Sequence, residues 1–484
     1  MKARRKKLPS SSATSWRTND ALVLWLIGCA GFLAIVLSAR GDLWLDEVIS
    51  LQWARSAKTP WDLLALYHHD NNHPINSLWL LMVGESHGTV LPRLLSIVSG
   101  AIILFLMVKL GEVLCPTRRW VPLLLASFSF PMILYASEAR GYAPALAANL
   151  GATWLLLKWR NSKQFPPTLA FGLLSIVAML SHGSALHILA AQFLWFVLVA
   201  FQDERGVIHR IYRVLHWFGI PVLAGGIYYI LFLREMMVAG GPHYSWVQVF
   251  GHFFGYSLGL PTEGIGGVFT TVVSILLIIA ALVWGVFPIP CGRWLYSFIL
   301  LVPAAVLLLT RPEFLYFRYF LVCLPYFYLL LGALSEALPK PLHSWKRIVV
   351  AVVVVAFVST NVARVFALLN WQRGDYSGAL RYVVDRSSGD TTISSDHDFR
   401  NGLVVQSLKR RFPEFSRIQY CLASDIPNIG TEWLILHGQG DPPAVTPEKI
   451  SWENRSYSFS KLFPAGPVSG FYWMIFRRTD LSVE

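Results

Sequence analysis

The sequence predicts a polytopic α-helical membrane protein with a C-terminal soluble α/β domain. Of its 484 residues 55% are hydrophobic and only 14% are charged, and the mean hydropathy is +0.50. Soluble domains carry about 25% charged residues. Apolar runs, several of them near the roughly 20 residues that a bilayer-spanning helix needs, recur as far as residue 368. From residue 369 onward the chain becomes polar and turn-rich, as expected of a separate soluble domain.

The apolar runs predict about eleven transmembrane helices. They lie at about 21–39, 91–110, 120–136, 142–157, 167–185, 186–201, 215–233, 266–288, 294–310, 319–337 and 348–368. We therefore divide the chain into a basic N-terminus (1–20), a transmembrane domain (21–368) with a long first outer loop (40–90), and a C-terminal domain (369–484).

Basic residues occupy alternate connections between these runs. They are Arg118 and Arg119; Lys158, Arg160 and Lys163; Arg205, Arg210 and Arg213; Arg293; and Lys340, Lys346 and Arg347. The positive-inside rule therefore puts the N-terminus in the cytoplasm and the C-terminal domain outside. The net charge of +13 is spread between apolar runs, which does not favour a nucleic-acid-binding face. We expect an integral protein of a bacterial inner (plasma) membrane, because no retention signal is evident.

The outer segments carry local structure of their own. In the first outer loop, 47–57 and 75–85 have apolar residues at helical spacing but are too short to span, which predicts interfacial helices. In the C-terminal domain, 391–394, 433–436 and 471–476 are predicted strands and 400–411 a predicted helix.

Asp46 and Glu47 stand a few residues after the first apolar run and are the first candidate catalytic residues. An acid is costly in the bilayer centre, so the pair is expected at the outer membrane surface. Consecutive residues point in different directions on a helix or a strand, so they would have separate roles, one of them that of a general base. The alternative is a pair of solvated acids at a helix end.

Two further constellations lie on the same predicted face. Glu138, Arg140 and Tyr142 fall at the turn between the third and fourth spans, and Arg318 and Tyr319 precede a Pro-containing span. The planar fork of arginine suits a phosphate group. The alternatives are an ordinary interfacial Arg–Glu pair for Arg140 and a snorkelling anchor for Arg318.

Histidines and acids of the outer loops raise the question of a metal. The candidates in the first loop are His68, His69, Asp70 and His73, and His243 lies in a later outer loop. No HExxH or CxxC spacing defines a metal site, so a divalent metal stays possible and no cofactor is certain. Neither GxGxxG nor GxxxxGK[ST] is present, which argues against a nucleotide-linked substrate.

These motifs together resemble the GT-C superfamily of glycosyltransferases, and most of all its family 39-like branch of protein O-mannosyltransferases and aminoarabinose transferases. The similar elements, in order along about 330 residues, are Leu43-Trp44-Leu45-Asp46-Glu47, Asn72-His73-Pro74, Ser137-Glu138-Ala139-Arg140-Gly141-Tyr142, and Arg318-Tyr319 before Pro325. The C-terminal domain is similar to soluble domains that some members carry.

The resemblance implies an inverting transfer of a sugar from a polyprenyl-phosphate donor to an acceptor hydroxyl or amine outside the cytoplasm. The acceptor would be a lipid, a glycan or a protein. Asp46 would act as the base, and Arg140 with Arg318 would stabilise the departing phosphate.

Two other functions stay open. A transporter or flippase for lipid-linked sugars would typically show internal repeats and charges near the midplane, and here the charges gather at one membrane surface. A non-catalytic membrane scaffold would leave the set of Asp46, Glu47, Glu138, Arg140 and Arg318 without a role.

Overall fold

The computed structural model describes residues 18–84, 88–159, 167–201, 206–238, 240, 243–283, 293–336, 344–422, 424 and 430–479. The helices are α1 Thr18–Ser38, α2 Leu45–Ser56, α3 Asp62–Ala65, α4 Pro74–Val83, α5 Val90–Leu114, α6 Trp120–Phe128, α7 Phe130–Ala136, α8 Tyr142–Trp159, α9 Thr168–Ser181, α10 Ala185–Phe201, α11 Val207–Leu231, α12 Trp246–Leu258, α13 Gly264–Val283, α14 Arg293–Thr310, α15 Leu324–Glu336, α16 Ser344–Trp371, α17 Tyr376–Asp385 and α18 Leu403–Arg411. The strands are β1 Thr391–Ser395, β2 Ile418–Tyr420, β3 Trp433–Gly438, β4 Lys449–Trp452, β5 Arg455–Phe463 and β6 Tyr472–Arg478. Most of the basic N-terminus and the basic residues Arg160, Lys163, Arg205 and Lys340 lie outside the described residues.

Where the structure describes them, the predicted apolar runs fall on helices, and the chain is an integral membrane protein. Within the described residues, five helical stretches are long and apolar enough to cross a bilayer: Asp20–Ser38, Val90–Leu114, Val207–Glu235, Phe317–Glu336 and Trp345–Asp385. The number of eleven crossings stays a prediction.

The run at 120–136 is split by Ser129 into α6 and α7. The Ser129 hydroxyl accepts a hydrogen bond from the backbone N–H of Met132 at 3.4 Å, which caps α7. Pro131 occupies the first turn, where its missing N–H costs no intrahelical hydrogen bond. This break brings the chain into the short α7, which ends at the turn 137–141.

Three short helices, α2, α3 and α4, lie between α1 and α5, and α2 and α4 match the helices predicted over 47–57 and 75–85. Glu47 caps the start of α2, because its carboxylate accepts a hydrogen bond from the backbone N–H of Trp44 at 3.2 Å. Pro74 starts α4, where its fixed φ favours a first helical position. α4 packs against α2, α5 and α9, so both helices are held on one end of the bundle.

The C-terminal domain is a single six-stranded sheet with the order β2-β1-β3-β6-β5-β4. β1 runs parallel to both β2 and β3, whereas β3, β6, β5 and β4 pair antiparallel. The strands predicted over 391–394, 433–436 and 471–476 are confirmed as β1, β3 and β6. The helix predicted over 400–411 is confirmed from Leu403, after one π-type turn over Asp398–Gly402.

The sheet domain is fixed to the helical bundle through the segment that leads into α2. Trp44 and Leu45 are buried in the same apolar cluster as side chains of α17, α18 and the sheet. The Asp42 carboxylate accepts a hydrogen bond from the backbone N–H of Ser377 in α17 at 2.7 Å. We call the end of the bundle that carries α2, α4 and the sheet domain the domain face.

Arg373, between α16 and α17, is a second connection between the helical bundle and the sheet domain. It is fully buried, pairs with Glu138 at 3.0 Å, and donates to the carbonyl of Ser38 at 2.9 Å and to the hydroxyl of Ser137 at 2.8 Å. Its contacts join the ends of α1 and α7 to the start of the C-terminal domain.

Candidate active site

A cavity of about 560 Å³ lies between the bundle and the sheet domain, at the domain face. Its volume is within the roughly 300–1,000 Å³ range of pockets that bind small molecules. The bundle contributes Trp44, Leu45, Asp46, Tyr135, Gly240, Tyr244, His252, Tyr256, Glu263, Tyr316, Phe317 and Arg318. The C-terminal region contributes His397, Phe399, Arg400, Gln439, Gly440, Val468, Ser469 and Phe471. The wall is therefore aromatic with a few charged groups.

Asp46 lies on this wall and pairs with two arginines. Its Oδ2 is 2.8 Å from Nη1 of Arg140 and 3.3 Å from Nη1 of Arg318. One carboxylate and two guanidinium groups leave one net positive charge, which is largely sheltered from water because the three side chains are 3% to 20% exposed. Such a site attracts an anion, and guanidinium forks match the oxygens of a phosphate.

Arg140 is brought to Asp46 by the tight turn that joins α7 to α8. Gly141 packs so closely against the end of α9 that a Cβ atom there would lie 1.7 Å from the carbonyl oxygen of Ser181. Only glycine allows this approach. The close packing explains why a glycine follows Arg140 in the motif found by sequence.

Asn71 links Arg140 to the backbone beside the acid. Its Oδ1 accepts a hydrogen bond from Nη2 of Arg140 at 2.6 Å, and its Nδ2 donates to the carbonyl of Asp46 at 2.8 Å. The hydroxyl of Ser50 also donates to the carbonyl of Asn71, at 3.2 Å. Asn71 therefore fixes the position of the Arg140 guanidinium relative to the backbone of Asp46.

Stacked rings support the guanidinium of Arg140 from behind. Its central carbon lies 5.0 Å from the ring centre of Tyr142, which in turn lies 4.3 Å from the ring of His182. His73 stacks on His182 at 4.8 Å and is buried. Burial, reinforced by His182 and Arg140, lowers the pKa of His73 well below its ordinary value. His73 is therefore neutral near pH 7 and does not repel Arg140.

Arg318 comes from the opposite side, on a short 3₁₀ helix that spans Phe317–Cys323. Its guanidinium lies 4.6 Å from the ring centre of Tyr316, a cation–π contact. Tyr319 packs edge-on against Tyr316 at 5.7 Å and is half-buried. Arg318 lines the cavity directly, whereas Tyr319 is not among the lining residues and contacts Tyr316.

Glu47 and Glu138 lie in buried ion pairs and are not among the side chains that line the cavity. Glu47 is fully buried, accepts two hydrogen bonds from Arg93 at 2.8 and 2.6 Å, and accepts one from the backbone N–H of Ala139 at 2.7 Å. Burial opposes its ionisation, but Arg93 and these hydrogen bonds outweigh that effect, so the pKa of Glu47 is lowered.

Glu138 lies on the other side of the same turn and faces Arg373. Burial raises the pKa of Glu138, although the charge of Arg373 opposes that shift. We therefore assign Glu47 and Glu138 to holding the loop and the turn, and Asp46 and Arg140 to the site itself.

The candidate metal ligands of the first loop face different partners. His68 lies 3.4 Å from Glu235, His69 lies 3.0 Å from Asp70, and His73 belongs to the ring stack behind Arg140. His243 is exposed and stacks on Phe314 at 4.7 Å, outside the cavity wall. Among the described residues, no three His, Cys, Asp or Glu side chains form a group that could hold a metal.

Sequence reasoning did not single out Asn71, Arg93, Arg373 and Arg400. Arg93 lies at the start of the apolar run 91–110 and Arg373 lies shortly after the run 348–368. A charged residue that is buried at such a position needs a partner. The position of these two arginines in the sequence could therefore have indicated buried ion pairs. Asn71 stands close to the His73-Pro74 motif, whereas Arg400 lies in a polar domain and carried no such signal.

No protein-family model and no curated protein sequence matches the chain. The fold is nevertheless similar to the crystal structure of ArnT from Cupriavidus metallidurans in the apo state, with a TM-score of 0.51 and 10% identity over 94% of this chain and 97% of that one. It is also similar to ArnT from Cupriavidus metallidurans bound to undecaprenyl phosphate, with a TM-score of 0.52 and 11% identity over 96% of this chain and 99% of that one. The chain therefore has an ArnT-like fold, in which apolar helices are followed by a C-terminal sheet domain.

Proposed function

We propose that this protein is a membrane glycosyltransferase that moves a sugar from a polyprenyl-phosphate donor to an acceptor hydroxyl or amine, with inversion at the anomeric carbon. The observation that carries the proposal is the convergence of Arg140 and Arg318 on Asp46 at the wall of a cavity. An acid that can take a proton and two cations that can hold a phosphate are the groups that such a transfer needs.

Asp46 is the proposed general base. Both arginines contact its Oδ2, so we assign the proton to Oδ1. As the acceptor oxygen or nitrogen attacks the anomeric carbon, its proton passes to Asp46. The bond from that carbon to the phosphate oxygen breaks, and its electron pair leaves with the polyprenyl phosphate.

Arg140 and Arg318 are the proposed phosphate ligands. Without a bound donor, both arginines pair with Asp46, and this pairing would make Asp46 a weaker base. A donor phosphate that takes over their guanidinium groups would free the carboxylate at the moment when the acceptor is to be deprotonated. The same arginines then stabilise the charge that grows on the leaving phosphate, which is where fixed cations contribute most to catalysis.

The lipid character of the donor rests on the fold and on the place of the site. The cavity opens at one end of a membrane-embedded bundle, and one of the similar ArnT structures is bound to undecaprenyl phosphate. We propose that the domain face is extracytoplasmic and that the membrane is a bacterial inner membrane, as the distribution of basic residues predicts.

The function itself is tested with membranes that contain the full chain and undecaprenyl phosphate carrying a radiolabelled sugar. We expect label to pass to a lipid, glycan or protein fraction, with release of undecaprenyl phosphate. If sealed vesicles instead move the intact labelled donor across the bilayer without transfer, the transporter alternative would replace this proposal.

Arg318→Gln is expected to lower the rate of transfer by about 10²–10³-fold at a saturating concentration of the sugar donor. The reason is that the variant lacks a guanidinium group that stabilises the phosphate charge in the transition state. Arg311→Gln is the matched control, since Arg311 lies exposed on the same loop and outside the cavity. Initial rates of label transfer measure both variants. Equal rates for the two variants would refute the role of Arg318 at the phosphate.

A further inference from the structure

A second polar cluster faces the same cavity from the sheet domain. Asp396 directly follows the last residue of β1. His437 is the second-last residue of β3, the strand that pairs with β1 in parallel. The carboxyl ends of neighbouring parallel strands are where open α/β sheets commonly bind ligands. His397 and Arg400, which follow Asp396, are among the residues that line the cavity.

Asp396, His437 and Arg400 form a hydrogen-bonded relay. Nδ1 of His437 lies 2.7 Å from Oδ1 of Asp396, and Nε2 of His437 lies 3.2 Å from Nη1 of Arg400. A guanidinium group can only donate, so Nε2 of His437 accepts and the ring proton is on Nδ1, donated to Asp396. His437 in this relay holds one N–H of Arg400.

Among the residues that the structure describes, the relay leaves most of the Arg400 donors for a ligand. One of five guanidinium N–H groups is used by His437. The guanidinium also lies 5.5 Å from the ring centre of Phe471, and both side chains are on the cavity wall. A cation that rests on an aromatic ring and is held by one hydrogen bond is pre-organised, which reduces the entropy lost on binding.

We propose that Arg400 binds an anionic group, a phosphate or a carboxylate, of the acceptor, and that Asp396 and His437 position it. This inference rests on the proposed function, because it names the second substrate of the same cavity. Arg318 on the bundle wall, and Arg140 paired with Asp46 of that wall, already provide two cations for the donor phosphate. Arg400 stands on the sheet-domain wall, so the two anions would be held on opposite sides of the reacting atoms.

Isothermal titration calorimetry of the full-length protein in detergent tests this proposal with two probes. Glycerol 3-phosphate is a soluble phosphomonoester, and undecaprenyl phosphate is the lipid carrier. Arg400→Gln is expected to weaken glycerol 3-phosphate binding about tenfold, because a charge-assisted bidentate contact is lost. Its affinity for undecaprenyl phosphate should stay within about twofold of the parent. Arg400→Lys should recover part of the loss, since it keeps the charge without the fork.

Arg381→Gln is the matched control, because Arg381 is an exposed arginine of the same domain, 52% exposed and 3.7 Å from Glu414. Unchanged glycerol 3-phosphate binding in both Arg400 variants, or no such binding by the parent at millimolar concentration, would overturn the proposal. An equal loss for undecaprenyl phosphate would assign Arg400 to the donor and also overturn it. Failure of the parent to bind undecaprenyl phosphate would instead count against the proposed function, because the glycerol 3-phosphate arm does not depend on it.

Discussion

Asp46→Asn is expected to reduce the turnover of sugar transfer by about 10²–10⁴-fold, because the acceptor loses the base that takes its proton. The amide keeps the size of the side chain and an oxygen that can still accept from Arg140. The affinity for the donor should therefore change much less than turnover does. The substitution also removes a negative charge that competes with the phosphate for both arginines, so undecaprenyl phosphate is expected to bind at least as tightly as to the parent.

Two measurements separate the base from a merely structural acid. Label transfer gives the turnover, and titration with undecaprenyl phosphate gives the affinity. Glu313→Gln is the matched control, since Glu313 is an exposed acid on the loop before Arg318 and lies outside the cavity wall. Full turnover by Asp46→Asn, in a protein expressed as well as the control, would refute the assignment of the base.

Much of the fold follows from composition alone. Long apolar runs have to form helices in a bilayer, because every backbone polar group must be paired internally. The central strands β1 and β3 were predictable for a related reason, since both are largely buried and read as short apolar or β-branched runs. By contrast, β4 and β5 were not predicted. β4 is an edge strand and alternates between exposed and half-buried residues, and β5, which lies between β4 and β6, is mostly half-buried, so both resemble polar loops in sequence.

The three central residues of the site could also be found from sequence. Asp46, Arg140 and Arg318 each stand where an apolar run meets a polar loop on one predicted membrane face, so topology alone brings them to one surface. The contact between Arg318 and Asp46 spans 272 residues. Its atomic geometry could not be predicted, because it depends on how α2, the turn after α7 and the 3₁₀ helix pack together.

The roles of Glu47 and Glu138 could not be separated from those of their neighbours by sequence. Their partners, Arg93 and Arg373, lie 46 and 235 residues away. Adjacent residues on a helix are about 100° apart around its axis. α2 therefore presents Asp46 to the cavity and turns Glu47 into the protein, where burial decides its role.

Glu47→Gln is expected to destabilise the protein by about 3–5 kcal/mol, because it leaves the fully buried Arg93 without its counter-ion. The thermal midpoint of the purified protein in detergent, followed by circular dichroism, measures the effect. Glu112→Gln is the matched control, because Glu112 pairs with Lys109 at a site where both side chains are 28% exposed, and such pairs contribute about 0–1 kcal/mol. A shift no larger than that of the control would contradict the structural role of Glu47.

The pH dependence of that shift gives a second, independent check with a fixed sign. The pKa of Glu47 is lowered in the folded protein, so the folded state binds its proton more weakly than the unfolded chain does. The stability from the pair with Arg93 is then fully present above the unfolded pKa, about 4.3. It is lost as the pH falls through the folded pKa. The difference in stability between the parent and Glu47→Gln should therefore be constant near neutral pH and become smaller only in acid. A difference in stability that grew on acidification would show that the charge of Glu47 does not hold Arg93.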